Sequence, residues 1–283
     1  MKNSNRLLAL VLAIMLAVCL PVFALGETTE ADDMAALNAY LVLPTPQLPL
    51  VDEPMTLTVT YPRNVKHGDF NTMWYLRKLE EKTGVKLEIQ PIEESGWDTV
   101  LQEAKDAGIP VILIDRKVSV DDDSLYASWV GSDFVREGQD AGYWLEDYMK
   151  KQGREDDEVN IVVLKGTKGA SATIGRTRGF NEVAKVQRNW NILQQVDGEF
   201  TTAKGKEEMA RLLDQYEDID VVVSQNDDMT FGALEAIREA GKTAGVNGDI
   251  TVISFDAVDA GVELVRNGEI NIDVQCNPDQ GKY

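Results

Sequence analysis

The chain has 283 residues, of which 43% are apolar, and a formal net charge of −20. That length suits one large domain or two lobes of ordinary size, and the apolar share can bury real cores, which excludes global disorder. The surplus of carboxylates excludes nucleic acid and anionic membrane surfaces as partners, since like charges repel.

The amino terminus is built for export. Lys2 and Arg6 precede the apolar run Leu7–Leu20, and Pro21 and Val22-Phe23-Ala24 follow. This is the charged start, apolar centre and small-residue cleavage site of a signal peptide, so residues 1–24 are expected to be removed after Ala24. The run is too short to cross a bilayer comfortably. Leu16-Ala17-Val18-Cys19 offers a second route, a lipid anchor on Cys19, although Val18 stands where lipoprotein processing wants Gly or Ala. With Cys19 in that segment, Cys276 is alone in the mature chain, which excludes a disulfide framework. It lies in a polar segment with no His nearby and is expected to be inert.

Residues 25–53 combine acidic and small residues with Pro44, Pro46 and Pro49, a composition that predicts a linker. A β-α-β pattern follows: a strand over Met55–Thr60, a helix over Asn71–Thr83 ended by Gly84, and a strand over Val85–Gln90. Next come a helix over Asp98–Ala107, closed by Gly108-Ile109-Pro110, and a buried strand over Val111–Ile114. Beyond Val130 the alternation is regular. Helices are predicted over Val135–Lys151, Ile174–Val186, Lys204–Tyr216, 230–241 and 258–267. Strands are predicted over Val159–Leu164, Asn191–Asp197, 219–223 and 249–255, with a last one carrying Ile270, Ile272 and Val274. Met209, Leu212, Leu213 and Tyr216 form an i, i+3, i+4, i+7 stripe, the pattern of a helix face packed on a core. Such repetition predicts an α/β protein of two Rossmann-like lobes with parallel sheets covered by helices on both faces. The first lobe is expected over 54–130 plus 275–283, and the second over 131–274.

The chemistry collects at strand ends. Val221-Val222-Val223 runs straight into the polar burst Ser224–Asp228; Val111–Ile114 runs into Asp115-Arg116, and Thr251–Phe255 into Asp256. In open parallel sheets ligands bind outside the carboxyl ends of the strands. Asp115, Asp227 and Asp256 accept hydrogen bonds from hydroxyls, Asn226 and Gln275 donate and accept, and Arg116 and Arg176 offer planar forks. Trp97, Trp129 and Phe134 can wall the C–H face of a ring. Each has a plainer alternative: Asp115 could cap a turn, Arg176 could sit on a helix surface, and Trp97 could be core. Together they suit a small molecule rich in hydroxyl groups.

Catalytic and metal machinery is not apparent. The single histidine, His67, sits in the polar loop Asn64–Asp69, so Ser-His and Cys-His arrangements and a His-rich metal site lack their residues. Asp121-Asp122-Asp123 lacks the spaced ligands and glycine of a calcium loop. Lys165-Gly-Thr-Lys-Gly169 lacks the Gly-Lys-Ser/Thr order of a phosphate loop and is better explained as a strand-to-helix turn. No metal and no cofactor is expected.

Several strings carry a family resemblance: Gly96-Trp97, Glu103–Val111, Asp115-Arg116, Gly166-Thr167 with Gly169-Ala-Ser171, Arg176 with Arg178-Gly-Phe180, Gly198-Glu-Phe-Thr with Lys204-Gly-Lys206, and Asn226-Asp-Asp-Met229. Through them residues 97–279 resemble the sugar-binding proteins of ABC importers with the type I periplasmic binding protein fold. The likeness is greatest to the galactofuranose-binding branch, a relative of the ribose- and galactose-binding proteins. The resemblance implies that Asp115 and Arg116 bind sugar from the first lobe and Arg176, Asn226 and Asp256 from the second. It places Gln275 near the hinge.

Residues 54–92 depart from that pattern and look like the start of a different class of extracellular solute-binding proteins. No βα unit stands between Pro91 and Trp97, so the first lobe is expected to be incomplete, as in a fusion or fragment. The expected function is an exported monomeric receptor, in the periplasm or on the outer face of the cell membrane. It would present a galactofuranose-, galactose- or ribose-like monosaccharide to the membrane permease of an ABC importer. Rival readings are a receptor domain feeding a chemosensor or sensor kinase, and a glycosidase using Asp115 and Asp256 as paired carboxylates.

Overall fold

The structure is a computed structural model that describes residues 48–62, 69–93, 96–118 and 120–277. The signal segment 1–24, most of the predicted linker, His67 and the last six residues lie outside them. The chain divides into two compact units, one up to Gly131 with 278–283 and the other Ser132–Asn277.

In the first unit, β1 (Met55–Pro62) and β2 (Val85–Ile92) pair in parallel, from Met55 against Val85 to Pro62 against Ile92. Helix α1 (Trp74–Thr83) joins them and ends at Gly84, whose φ of 74° is the left-handed conformation that glycine adopts without steric cost. The helix predicted from Asn71 starts three residues later. The Asn71 side chain instead pairs with the backbone of β2, its Oδ1 accepting from Ile89 N at 2.8 Å and its Nδ2 donating to Ile89 O at 3.0 Å. Leu76, Leu79, Val85, Leu87 and Ile89 form the core, and Leu50 and Val51 pack onto it. Leu50 N also donates to Thr83 O at 2.9 Å, so the end of the predicted linker is docked.

Helix α2 (Trp97–Asp106) leads to β3 (Ile112–Ile114), which pairs in parallel with β4 (Ser128–Val130). Three residues are too few to show a period, and β4 left no trace in the pattern. Before it, Asp122 caps a single 3-10 turn by accepting from Ser124 N at 2.8 Å. The pairs β1-β2 and β3-β4 are separate sheets.

The second unit alternates strictly: α3 (Phe134–Lys151), β5 (Val159–Lys165), α4 (Ser171–Ala184), β6 (Trp190–Asp197), α5 (Thr202–Gln215), β7 (Val221–Ser224), α6 (Asp227–Glu239), β8 (Thr251–Asp256), α7 (Asp259–Asn267) and β9 (Ile272–Gln275). Its five strands are all parallel, in the order β6-β5-β7-β8-β9. Both faces are covered, which explains the unbroken apolar runs. Val162, Leu164, Val222 and Val252 pack on Met209 and Leu212 of α5 and Met229, Ala233 and Ile237 of α6. Ile161, Val163, Val221, Val223, Ile253 and Phe255 pack on Ala141, Leu145 and Met149 of α3 and Phe180 and Ala184 of α4. Helices α3 and α4 touch through glycines. A Cβ at Gly179 would stand 2.0 Å from Val135 O, and one at Gly138 would stand 2.3 Å from Arg176 O.

Candidate ligand-binding site

The strand order of the second unit reverses between β5 and β7, and such switch points open the crevice where open α/β sheets bind ligands. Gln225, buried directly after β7, ties that point together. Its N donates to Leu164 O at 2.9 Å, its Oε1 accepts from Gly166 N at 3.1 Å, and its Nε2 donates to Thr177 Oγ1 at 2.7 Å. Here the chain also places Phe200 (φ 56°), whose ring lies so close to Gly166 that a Cβ there would stand 1.9 Å from it.

Arg176 reaches this edge from α4 and is only 2% exposed. Its Nε donates to Glu137 Oε2 at 2.8 Å, its Nη1 to Gln225 O, and its Nη2 to Asp256 Oδ1 at 2.9 Å. The guanidinium lies over the rings of Phe134 (5.5 Å) and Phe255 (5.0 Å). Five N–H groups less the three in these bonds leaves two further donors. Phe134 therefore stacks on the arginine, and Arg176 is an interior group rather than a surface helix residue.

Asn226 is the N-cap of α6, with Oδ1 accepting from Met229 N at 3.0 Å. Its Nδ2 remains as a donor. Asp256 ends β8 with φ at 105°, a conformation that costs a non-glycine residue energy and often marks a functional position. Its side chain is 32% exposed, with Oδ1 on Arg176 and Oδ2 available. Burial raises its carboxyl to about 6, against the pull of Arg176. Gln275 stands opposite Asp256 in the β8-β9 register and is exposed. The second unit thus gathers Arg176, Asn226, Asp256 and Gln275 along one sheet edge.

The first unit places its candidates at the end of β3. Asp115 takes φ 68°; its N donates to Val130 O at 2.8 Å and its O accepts from Trp129 Nε1 at 3.2 Å. Arg116 Nε lies 3.7 Å from Asp115 Oδ2, and both side chains are substantially exposed. Gly131 is required beside them, because a Cβ there would stand 2.2 Å from Asp115 O. Trp97 is buried at the start of α2.

Two residues of the second unit, Glu137 and Asp273, escaped sequence reasoning. Glu137 is buried behind Arg176, and burial raises its carboxyl although Arg176 opposes this. A charge on the apolar face Phe134, Gly138, Ala141 was the available signal. Cys276 Sγ donates to Ser132 Oγ at 3.4 Å, and burial, followed by the Glu137 charge, pushes its thiol up to about 12. Asp273 is the other, an acidic residue between Ile272 and Val274 of β9. Among the described residues no cluster of His, Cys, Asp and Glu could hold a metal ion, and no helix is long and apolar enough to cross a membrane.

The sequence profile of the periplasmic binding protein domain matches residues 86–283. The chain is 40% identical over 193 residues to the galactofuranose-binding protein YtfQ of Escherichia coli, covering 67% of this chain and 58% of that protein. It is 30% identical over 274 residues to the ribose import binding protein RbsB of Salmonella typhimurium, covering 94% of this chain and 88% of that one. An alignment of that extent reaches upstream of residue 86. Among solved structures, a galactofuranose binding protein superposes with a TM-score of 0.67 at 33% identity, over 80% of this chain and 84% of that one. A Mycobacterium smegmatis protein in complex with β-D-fucofuranose gives 0.68 at 36% identity, over 80% and 82%. The chain belongs to the periplasmic binding protein family and has its type I fold, α/β with parallel sheets.

Proposed function

We propose that the chain is an exported, non-enzymatic receptor that binds a monosaccharide and presents it to the permease of an ABC importer. The observation that carries this reading is the edge formed by Arg176, Asn226 and Asp256. It offers two guanidinium N–H groups, one amide N–H₂ and one carboxylate oxygen. These are complementary to neighbouring hydroxyls and form no nucleophile-and-base pair. Relatives named for galactofuranose and ribose support a monosaccharide as the ligand. In this reading Asp115 and Arg116 supply the contacts of the first lobe, Trp97 backs them, and Gln275 lies near the hinge. Ligand then shifts an open–closed population toward closure. Affinity for such a site is expected to be micromolar or tighter, about −8 kcal/mol or beyond.

A thermal-shift screen over pentoses and hexoses tests this directly. A sugar at a hundredfold excess over its Kd should stabilise the protein by about 2.7 kcal/mol and be recovered unchanged. No shift with any sugar overturns the receptor reading, and release of reducing sugar from an aryl glycoside would mean an enzyme.

A further inference from the structure

Behind the crevice edge two carboxylates stand against each other. Asp227, the first residue of α6, is 2% exposed; its Oδ1 accepts from Ser254 Oγ at 2.6 Å and its Oδ2 from Val258 N at 2.9 Å. Asp273 on β9 uses Oδ1 to accept from Ala257 N at 3.0 Å, while its Oδ2 is buried with no other donor among the described residues. A Cβ at Gly261 would stand 2.3 Å from Asp273 Oδ2 and 2.6 Å from Asp227 Oδ2, so both oxygens crowd one point. Each carboxyl group therefore acts on the titration of the other.

A bond between two carboxyl groups needs a proton, because two carboxylates can only accept. Like charges at this separation cannot both ionise readily, and such pairs titrate as a unit. Asp227 already accepts two hydrogen bonds that favour its charged form, so the proton belongs on Asp273 Oδ2. Burial, and then the charge of Asp227, push the Asp273 carboxyl up to about 8. The other charges acting on the pair are Asp228 on α6 and Asp256 on β8. Asp256 is in turn linked to Arg176 on α4 and Glu137 on α3. From α7, the element packed above, Gly261 is the residue in contact.

The pair joins three pieces of chain, each of which carries a candidate binding group, Gln275 being the one on β9. Asn226 immediately precedes Asp227, and Asp256, with its φ of 105°, immediately precedes Ala257 and Val258. We propose that Asp273 is a positioning residue, whose carboxylic acid donates to Asp227 and so locks the β8–α7 turn and the start of α6, holding Asp256 and Asn226 in their binding geometry. This rests on the sugar-receptor reading and extends it: loss of the shared proton frees the turn and weakens binding.

The test compares wild type, Asp273→Asn and Asp273→Ala by calorimetric titration with D-galactose and with D-ribose between pH 5 and 9.5. An asparagine reproduces the protonated acid, accepting from Ala257 N and donating to Asp227, but cannot ionise. Wild type should lose at least tenfold in affinity between pH 7 and 9.5, Asp273→Asn should stay within twofold, and Asp273→Ala should bind weakly throughout. Any loss below pH 6 from protonation of Asp256 should appear in wild type and Asp273→Asn alike. Parallel profiles above pH 7 would overturn the proposal. A second readout needs no sugar: the Asp273 carboxyl carbon, followed by NMR, should titrate near 8, and titration near 4 would also overturn it. If neither sugar binds wild type at any pH, the receptor reading fails for these sugars while the NMR titration still decides the proton pair.

Discussion

Replacing Arg176 probes the candidate site and the core beneath it together. Its guanidinium is the shared partner of Glu137 (2.8 Å), Gln225 O and Asp256 (2.9 Å). Arg176→Ala leaves Glu137, itself 7% exposed, as a buried carboxylate without its cation. Breaking a buried pair in this way costs about 3–5 kcal/mol. For a unit of roughly 150 residues each kcal/mol lowers Tm by about 2–4 °C, so a drop of about 6–20 °C is expected by calorimetry. Arg176→Lys keeps the charge, but an ammonium cannot serve three acceptors fixed in different directions, so it should recover less than half of the loss. Sugar binding should fail in both variants, since Asp256 loses the group that orients it. Arg178→Ala, on the same helix but in an exposed pair with Glu182, is the control and should melt like wild type. An Arg176→Ala protein melting within 2 °C of wild type would refute the assignment of a buried three-way hub.

Asn226→Asp retains the oxygen that caps α6 but loses the Nδ2 donor. It should therefore melt like wild type while affinity falls tenfold to a hundredfold, about 1–3 kcal/mol; Asn226→Ala should lose about 1 kcal/mol of stability in addition. Equal affinity of Asn226→Asp and wild type would remove Asn226 from the site. Gly179→Ala places a methyl 2.0 Å from Val135 O and should force α3 and α4 apart, at a cost of roughly 1–3 kcal/mol in chemical denaturation. In hydrogen exchange, amides of β3 and β4, two three-residue strands that are only partly buried, should exchange well before those of β5, β7 and β8. Equal protection would show that the first unit is as cooperative as the second.

The regular half of the fold was legible because its signals are local. Val221-Val222-Val223 and Val159–Leu164 are apolar without interruption, as a sheet covered on both faces requires, and each predicted helix of the second unit was found within a few residues of its place. Strand ends marked hydrogen-bonding groups by order alone, Asp115-Arg116 in the first unit and Asn226 and Asp256 in the second. Other features have no local signal. Strand β4 is too short to show a period, and the helix expected from Asn71 is shortened because that side chain pairs with a strand eighteen residues away.

Sequence by itself determined the alternation of strands and helices, the export signal as an expectation, and the candidate residues at the strand ends. Only the tertiary structure decided what those residues do to one another. Arg176 lies 39 residues from Glu137, 49 from Gln225 and 80 from Asp256, yet one guanidinium joins all three. Asp273 looked like the polar member of an alternating strand until folding set it against Asp227, with room left only by Gly261. Burial and mutual charge change a side chain's role, and both depend on which distant segments the sheet order brings side by side.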